Sequence, residues 1–374
     1  MRKVMNVYLA RAATPYSESY ADLDLPATPY ELLDTLDKLR LSEGETPYLQ
    51  INEYYNFEEL APLLSGESGL YELNALAKRL SELDALQQVS FEGVLQMEVN
   101  KKEGQIQMPR LIDLAYGTGC CHVVDALNDS QLGRFYAENG FVPEMDDLSD
   151  KLFNMLDFER IGREFRQGEG GVFTEQGYVV QHSEPENVFD MLDLTPNQPD
   201  YQILLELTGE RHNFLELPDE PQAFDGMEGY SFRCLDCRIP QLMDAVEKAD
   251  LQTVNEFAHA LSEMNEHQAT VYKAALVATD CADLESAAAL LDNLDHFMLD
   301  SKIASPEDAA ITELKFVFGE NDVDRLLPYV QLPAYGRDLL EHDNAVMTPY
   351  GRMDRDDFQP MQAPFQLPNG MVML

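Results

Sequence analysis

The stretch Leu70–Met97, LYELNALAKRLSELDALQQVSFEGVLQM, decides how the chain is organised, because a diverged copy recurs at Leu251–Ala278, LQTVNEFAHALSEMNEHQATVYKAALVA. At a constant shift Leu70 falls on Leu251, Asn74 on Asn255, Ala77 on Ala258, Leu80-Ser81-Glu82 on Leu261-Ser262-Glu263, Gln87 on Gln268 and Leu95 on Leu276. Leu73/Val254, Leu76/Phe257, Leu83/Met264 and Phe91/Tyr272 are conservative pairs. Leu73, Leu76, Leu80 and Leu83 recur at helical spacing, so each copy reads as an amphipathic helix with one buried stripe. The residues between the stripes are mostly Glu, Asp, Gln and Ser. The first inference is a doubled fold whose helices hide apolar residues and show acid.

The charge is extreme. Twenty-six Lys+Arg against 68 Asp+Glu leave a net charge of −42, far past the magnitude of about 2–8 that keeps a small domain soluble. Self-repulsion on that scale works against compactness, so something other than folding maintains it. With 45% hydrophobic residues over 374 positions a packed core is expected, spread over two or three domains. Halophilic adaptation, cation storage or an acidic face for a basic partner would each explain the acidity. Direct nucleic-acid binding is disfavoured, since phosphates call for net Lys/Arg. The N-terminus lacks the apolar core of a signal peptide, and no run has the length of a membrane helix. Five cysteines fit no disulfide framework and suit a reducing cytoplasm.

Along the chain, Asn6–Arg11 and Ser19–Leu25 read as strands around a turn. Thr28-Pro29 starts a helix over Tyr30–Leu39, with Glu31 in its first turn. Tyr48–Tyr55 reads as a strand and Phe57–Leu64 as a helix capped by Asn56. Met108–Ala115 and Gln131–Asn139 read as helices with a short strand, Cys121–Val124, between them. Asp150–Phe165 reads as one amphipathic helix and Gly171–Val180 as a hairpin. His182–Pro199, with Pro185, Pro196 and Pro199, is the best boundary. The second half repeats the order: Tyr201–Leu207 for the first strand, Leu215-Glu216-Leu217-Pro218 for Leu23-Asp24-Leu25-Pro26, Phe232–Leu235 for Tyr48–Ile51, and Asp283–Phe297 for the following helix. Leu332–Leu339 echoes Phe158–Phe165, with Gly336-Arg337 on Gly162-Arg163, and Val346-Met347-Thr348…Gly351 echoes Val172-Phe173-Thr174…Gly177.

With these residues in view, the chain resembles the ArdA-type antirestriction proteins. The resemblance is carried by Val7-Tyr8-Leu9-Ala10…Tyr16-Ser17-Glu18, by the Leu70–Leu83 helix with Glu72-Leu73-Asn74, by Arg134-Phe135-Tyr136-Ala137-Glu138-Asn139-Gly140, and by Ala334-Tyr335-Gly336-Arg337-Asp338-Leu339 ahead of Thr348…Gly351. It covers Asn6–Val180 as one module and Tyr201–Gly351 as a second. It implies elongated acidic proteins built of small subdomains, whose carboxylates imitate the phosphates of B-form DNA. Such proteins occupy the DNA groove of type I restriction-modification enzymes, and they usually act as dimers of single modules. This chain departs from that pattern by holding two modules, so it would be either a covalent pseudo-dimer or a module pair that dimerises again.

The expected fold class is therefore α+β: an elongated tandem of small α/β and helical-bundle subdomains, with the module duplicated. The expected domains are 1–182, a linker 183–200, a diverged second module 201–351 and a loose tail 352–374.

A DNA mimic needs rows of carboxylates, since B-DNA carries about one charge per 1.7 Å of axis. The candidates in the first half are Glu53, Glu58, Glu59, Glu72, Glu82, Asp84, Glu144, Asp146, Asp147, Asp150 and Asp157. In the second they are Asp244, Glu247, Asp250, Glu256, Glu263, Asp283, Glu285, Asp292 and Asp295. A solvated helix face explains any one of them; the mimic reading rests on the ensemble. Arg163 and Arg337, cations at matching places, suit either an ion pair with a neighbouring acid or a subdomain or dimer junction. Cys234-x-x-Cys237 lacks a second ligand pair for zinc, although His212 is nearby in sequence; a redox role is the other option, and two small core cysteines the plain one. Cys121 and His122 are neighbours on a strand, so their side chains point to opposite faces and do not form a catalytic pair. Gly117-Thr118-Gly119 is a turn, not a dinucleotide fingerprint.

The sequence thus points to a cytoplasmic, non-enzymatic protein of a bacterial host, encoded by a mobile element, with no cofactor and no metal. Its partner would be a DNA-binding defence enzyme, type I restriction-modification first and a CRISPR nuclease as the alternative. No membrane and no nucleic acid would be bound directly. The competing class is an enzyme on an acidic scaffold, which convergent polar groups in a pocket would favour.

Overall fold

The computed structural model describes residues 2–11, 19–42, 44–64, 69–101, 106–142, 148–194, 198–208, 213–220 and 231–364. It is an α+β protein. The order begins β1 (Met5–Ala10), β2 (Tyr20–Leu25), α1 (Pro29–Leu39), β3 (Tyr48–Glu53), α2 (Leu70–Ser81), α3 (Ala85–Lys101) and α4 (Met108–Tyr116). It continues β4 (Cys121–Val124), α5 (Asp129–Glu138), α6 (Asp150–Phe153), α7 (Phe158–Glu169), β5 (Val172–Phe173) and β6 (Tyr178–Gln181). Then come β7 (Ile203–Thr208), β8 (Asn213–Leu217), β9 (Ser231–Cys237), α8 (Met243–Val246), α9 (Leu251–Ser262), α10 (Glu266–Thr279) and α11 (Leu284–Leu291). The chain closes with β10 (Phe297–Asp300), α12 (Pro306–Phe318), α13 (Glu320–Leu326), α14 (Leu332–His342), β11 (Val346–Thr348) and β12 (Gly351–Arg355).

The strands form three-stranded sheets in two matched pairs. The orders β2-β1-β3 and β8-β7-β9 correspond, and so do β4-β6-β5 and β10-β12-β11. Both Leu25-Pro26 and Leu217-Pro218 are cis. By contact the chain divides into two compact units. One holds Met1–Val7, Asp24–Ala27 and Leu49–Thr195; the other holds Tyr8–Leu23, Thr28–Tyr48 and Pro196–Leu374. Chain order and compact units therefore divide the protein differently, since α1 belongs to the unit built mainly from the second half.

The opening stretch is not one helix but two. α2 ends at Ser81 with Glu82 as its C-cap, and α3 begins after Asp84, because Asp84 and Gln87 close a capping box: the Gln87 N–H donates to Asp84 Oδ1 at 2.8 Å and the Asp84 N–H to Gln87 Oε1 at 3.1 Å. Asn265 and Gln268 make the same exchange between α9 and α10, at 2.9 and 3.1 Å. The apolar stripe continues across each break, which is why periodicity alone ran the helices together. α10 is buried on nearly every side, as a central helix should be. Its apolar side chains belong to one hydrophobic core with Ile203, Leu205, Leu217, Val254, Leu261, Tyr350 and Met353.

Other boundaries also differ. Asp150–Phe165 is broken into α6 and α7, because Asp157 accepts from the Arg160 N–H and starts a new helix. Only a single turn, Glu58–Leu60, forms where a helix over Phe57–Leu64 was expected. α11 stops at Leu291, and Phe297 already belongs to β10. In the stretch read as a linker, Pro185 lies against Gly117 and the Phe189 N–H donates to Asp113 Oδ1 at 2.9 Å. Residues 352–355, expected to be loose, are β12, and Arg355 is wholly buried, donating to Asp357 and to the Pro360 carbonyl; residues 365–374 lie outside the described residues.

Close helix contacts repeat as well. A Cβ on Gly162 of α7 would sit 1.8 Å from the Asp129 carbonyl oxygen at the start of α5. One on Gly336 of α14 would sit 1.7 Å from the Pro306 carbonyl oxygen at the start of α12. Each glycine lets backbone meet backbone.

Candidate functional site

Glu144, Asp146 and Asp147 lie outside the described residues. All the other candidate carboxylates are exposed except Glu72, which is half-buried. Their positions on the helices divide them. Glu72, Asp84, Asp157, Asp250 and Asp283 stand at helix N-termini and accept backbone N–H bonds there. Asp150, Asp244, Glu285, Glu58 and Asp295 sit in first turns. Folding accounts for these, because the open N–H groups and the positive end of the helix dipole favour a carboxylate. Hydrogen bonds to the Thr253 side chain and backbone hold the Asp250 carboxyl below the usual range, and bonds to Ser286 do the same for Asp283.

A second group sits where folding disfavours it. Glu82, Glu263 and Asp292 are the C-caps of α2, α9 and α11, facing the negative end of the dipole. Glu82 has Arg79 at 3.8 Å. Glu263, Asp292 and Asp295 converge on one cleft of about 330 Å³, together with Met264, Leu291 and Leu294. Glu247 is tied to the fold, accepting from the Cys234 N–H at 2.9 Å, and Glu256 accepts from Gln252 within α9. Glu53 is exposed at the end of β3.

In the other unit Glu59 lines a groove of about 530 Å³ with Pro62, Leu63, Leu95 and Val99, and Glu92 stands across it. Although Glu59 is exposed as a residue, desolvation of its carboxyl by the groove walls, then the charges of Glu92 and Glu58, push that carboxyl above the usual carboxylate range. Partial burial and Glu175 do the same to Glu92. Glu92 and Glu175 were missed by sequence reasoning; Glu92 stands at helical spacing from Leu95 and Val99, and an acid beside those apolar residues was the signal.

Sequence reasoning also missed a buried polar network. Lys273, which takes the place of Glu92 in the repeat, is 3% exposed and lies 2.9 Å from Asp37 and 3.3 Å from Asp34. Asp34 accepts from Tyr350 OH at 2.7 Å and pairs with Lys38 at 2.6 Å. Burial raises the Asp37 carboxyl, and Lys273 only partly opposes that.

Cys234 and Cys237 are free, buried thiols, and burial pushes the Cys237 thiol up to about 12, which keeps it an inert core residue. His212 lies outside the described residues, and no cluster of metal-ligating side chains occurs among the described ones. Arg163 pairs with Glu159 and approaches Asp129 to 3.8 Å. Arg337 is exposed and has no ion pair among the described residues. No helix there is long and apolar enough to cross a membrane. No protein-family model matches the chain, and no curated protein matches it.

Proposed function

We propose that the chain is an acidic DNA mimic that inhibits a bacterial DNA-binding defence enzyme, type I restriction-modification being the favoured target, by occupying its DNA groove. The reading makes it a non-enzymatic protein of the bacterial cytoplasm. One observation supports it above the others: carboxylates persist at helix C-termini, where the dipole opposes them, and Glu263, Asp292 and Asp295 crowd one cleft. Charge that costs the fold stability is retained for something the charge does outside the fold.

The experiment is DNA cleavage by a purified type I restriction enzyme in the presence of the full chain, with DNA as competitor. Inhibition should be relieved by excess DNA. The combined change Glu263→Gln, Asp292→Asn and Asp295→Asn should weaken inhibition at least about tenfold, while any one of the three does little. Inhibition that survives the combined change, or that excess DNA leaves untouched, contradicts the proposal.

A further inference from the structure

Within the unit that contains α1, a pocket of about 480 Å³ gathers Arg11, Arg40 and Lys302 with the hydroxyls of Ser42, Thr270 and Ser301. That size falls in the range of about 300–1,000 Å³ typical of small-ligand sites. In a chain with 26 basic and 68 acidic residues, a pocket walled by three cations runs against the composition. We infer that it binds a small organic phosphate through these groups. The inference is independent of DNA mimicry.

Arg40 is the most constrained of the three cations. It ends α1 in the left-handed region at φ 52°, a position that glycine or asparagine fills at lower cost. An arginine is kept there although its backbone is strained. Its guanidinium donates to the Ile303 carbonyl at 3.1 Å and to Ser19 Oγ at 2.7 Å, both neutral acceptors. Its Nε is buried without a hydrogen-bond partner, and no carboxylate pairs with it among the described residues. Burial, followed by Arg11 beside it, lowers its affinity for its proton, with only Asp308 opposing. The half-buried positive charge is thus under-compensated.

Among the described acids nearby, Asp37 and Asp308 are held by other groups, and only Glu45 forms an ion pair with a pocket cation. Asp37 lines the pocket but is held by Lys273 at 2.9 Å. Glu45 takes Arg11 at 3.3 Å. Asp308 accepts from the Ala304 N–H at 3.0 Å. Lys302 is exposed with no ion pair among the described residues. Guanidinium and ammonium groups with the hydroxyls of Ser42 and Ser301 make up a donor set that recognises a phosphate head, the Thr270 hydroxyl being committed to the Glu266 carbonyl at 3.1 Å, and the volume leaves room for an organic group.

The test is calorimetric titration of the full chain with inorganic phosphate and with AMP, at constant ionic strength in a phosphate-free buffer. Elsewhere the net charge repels a dianion, so binding would be local. AMP should bind more tightly than phosphate, and Lys302→Ala and Arg11→Gln should each weaken it about tenfold or more, with Lys248→Ala, an exposed lysine outside the pocket, unchanged. Both pocket changes are at solvent-facing side chains, so a folded variant is available even if Arg40→Gln unfolds. Equal binding of phosphate and AMP would identify the head alone as the ligand and overturn the organic part of the inference. No binding of either by about 10 mM, or binding that the pocket variants keep, overturns it entirely.

Discussion

Asn74 closes a two-bond ring with the backbone of Ala27: its Oδ1 accepts from the Ala27 N–H at 2.7 Å and its Nδ2 donates to the Ala27 carbonyl at 3.1 Å. Asn255 makes the same ring with Asp219, at 2.9 and 2.9 Å. Each asparagine holds the segment that follows the sheet hairpin to the helix that follows the sheet. Asn74→Ala and Asn255→Ala each remove two bonds and leave backbone groups unpaired. Each should lose about 2–3 kcal/mol in urea denaturation, the larger loss at Asn255, which is the more buried. A loss under about 0.5 kcal/mol at both sites would show that the rings are incidental.

Gly162 and Gly336 offer a second matched pair. Alanine at either would place a methyl group against a carbonyl oxygen. Thermal denaturation should show a loss of about 1–3 kcal/mol for each. Gly168→Ala, in the same helix as Gly162 but with open space beside it, should instead stabilise by about 0.5–1 kcal/mol. Identical effects at all three positions would contradict the packing described.

Acids at opposite helix ends should respond with opposite sign. Asp250→Ala and Asp283→Ala remove caps and should cost about 1 kcal/mol each. Because both carboxyls are held below their usual range, their contribution is full above the ordinary carboxylate pKa and disappears as pH falls through the lower folded value. Glu263→Gln and Asp292→Asn should raise the melting temperature at pH 7, by about 1–3 °C. If all four changes destabilise, the distinction between structural and surplus acid fails.

Lys273→Met should be among the most damaging single changes, about 3 kcal/mol or more, since Asp34 and Asp37 lose a shared buried cation. The Asp37 carboxyl already lies above its usual range, so the native state takes up the proton before the unfolded chain does. Its penalty is therefore greatest at neutral pH and is relieved as pH falls through the folded value. The gap between variant and parent should narrow as pH falls from neutral; a gap that widens would place the lost energy elsewhere.

Salt should separate folding from binding. Added NaCl screens the repulsion within a chain of net charge −42 and should raise its melting temperature. The same salt should weaken any complex with a basic DNA groove. Both measurements moving in one direction would argue against an electrostatic origin for one of them.

Much of the architecture could be read from residues alone. The matched positions Leu25-Pro26/Leu217-Pro218, Asn74/Asn255 and Gly162/Gly336 fall in equivalent places of equivalent sheets and helices. Their requirements are local: a turn, a side-chain ring with nearby backbone, a contact that admits no Cβ. The helix breaks at Asp84 and Asn265 were present as D/N-x-x-Q signals, but the continuous apolar stripe concealed them. Surplus charge was plain from composition, whereas its division into capping acids and opposed acids was not, since that depends on which end of a helix each residue meets.

The doubled order of elements, the α+β class and an acidic exterior follow from periodicity, capping and charge count, which act over a few residues. Packing across the chain brings Lys273 to Asp34 and Asp37, sets Glu59 and Glu92 on one groove, and gathers Arg11, Arg40 and Lys302 at one pocket. Those groupings join residues far apart in the chain, and their charges acquire meaning only from the burial and neighbours that packing imposes.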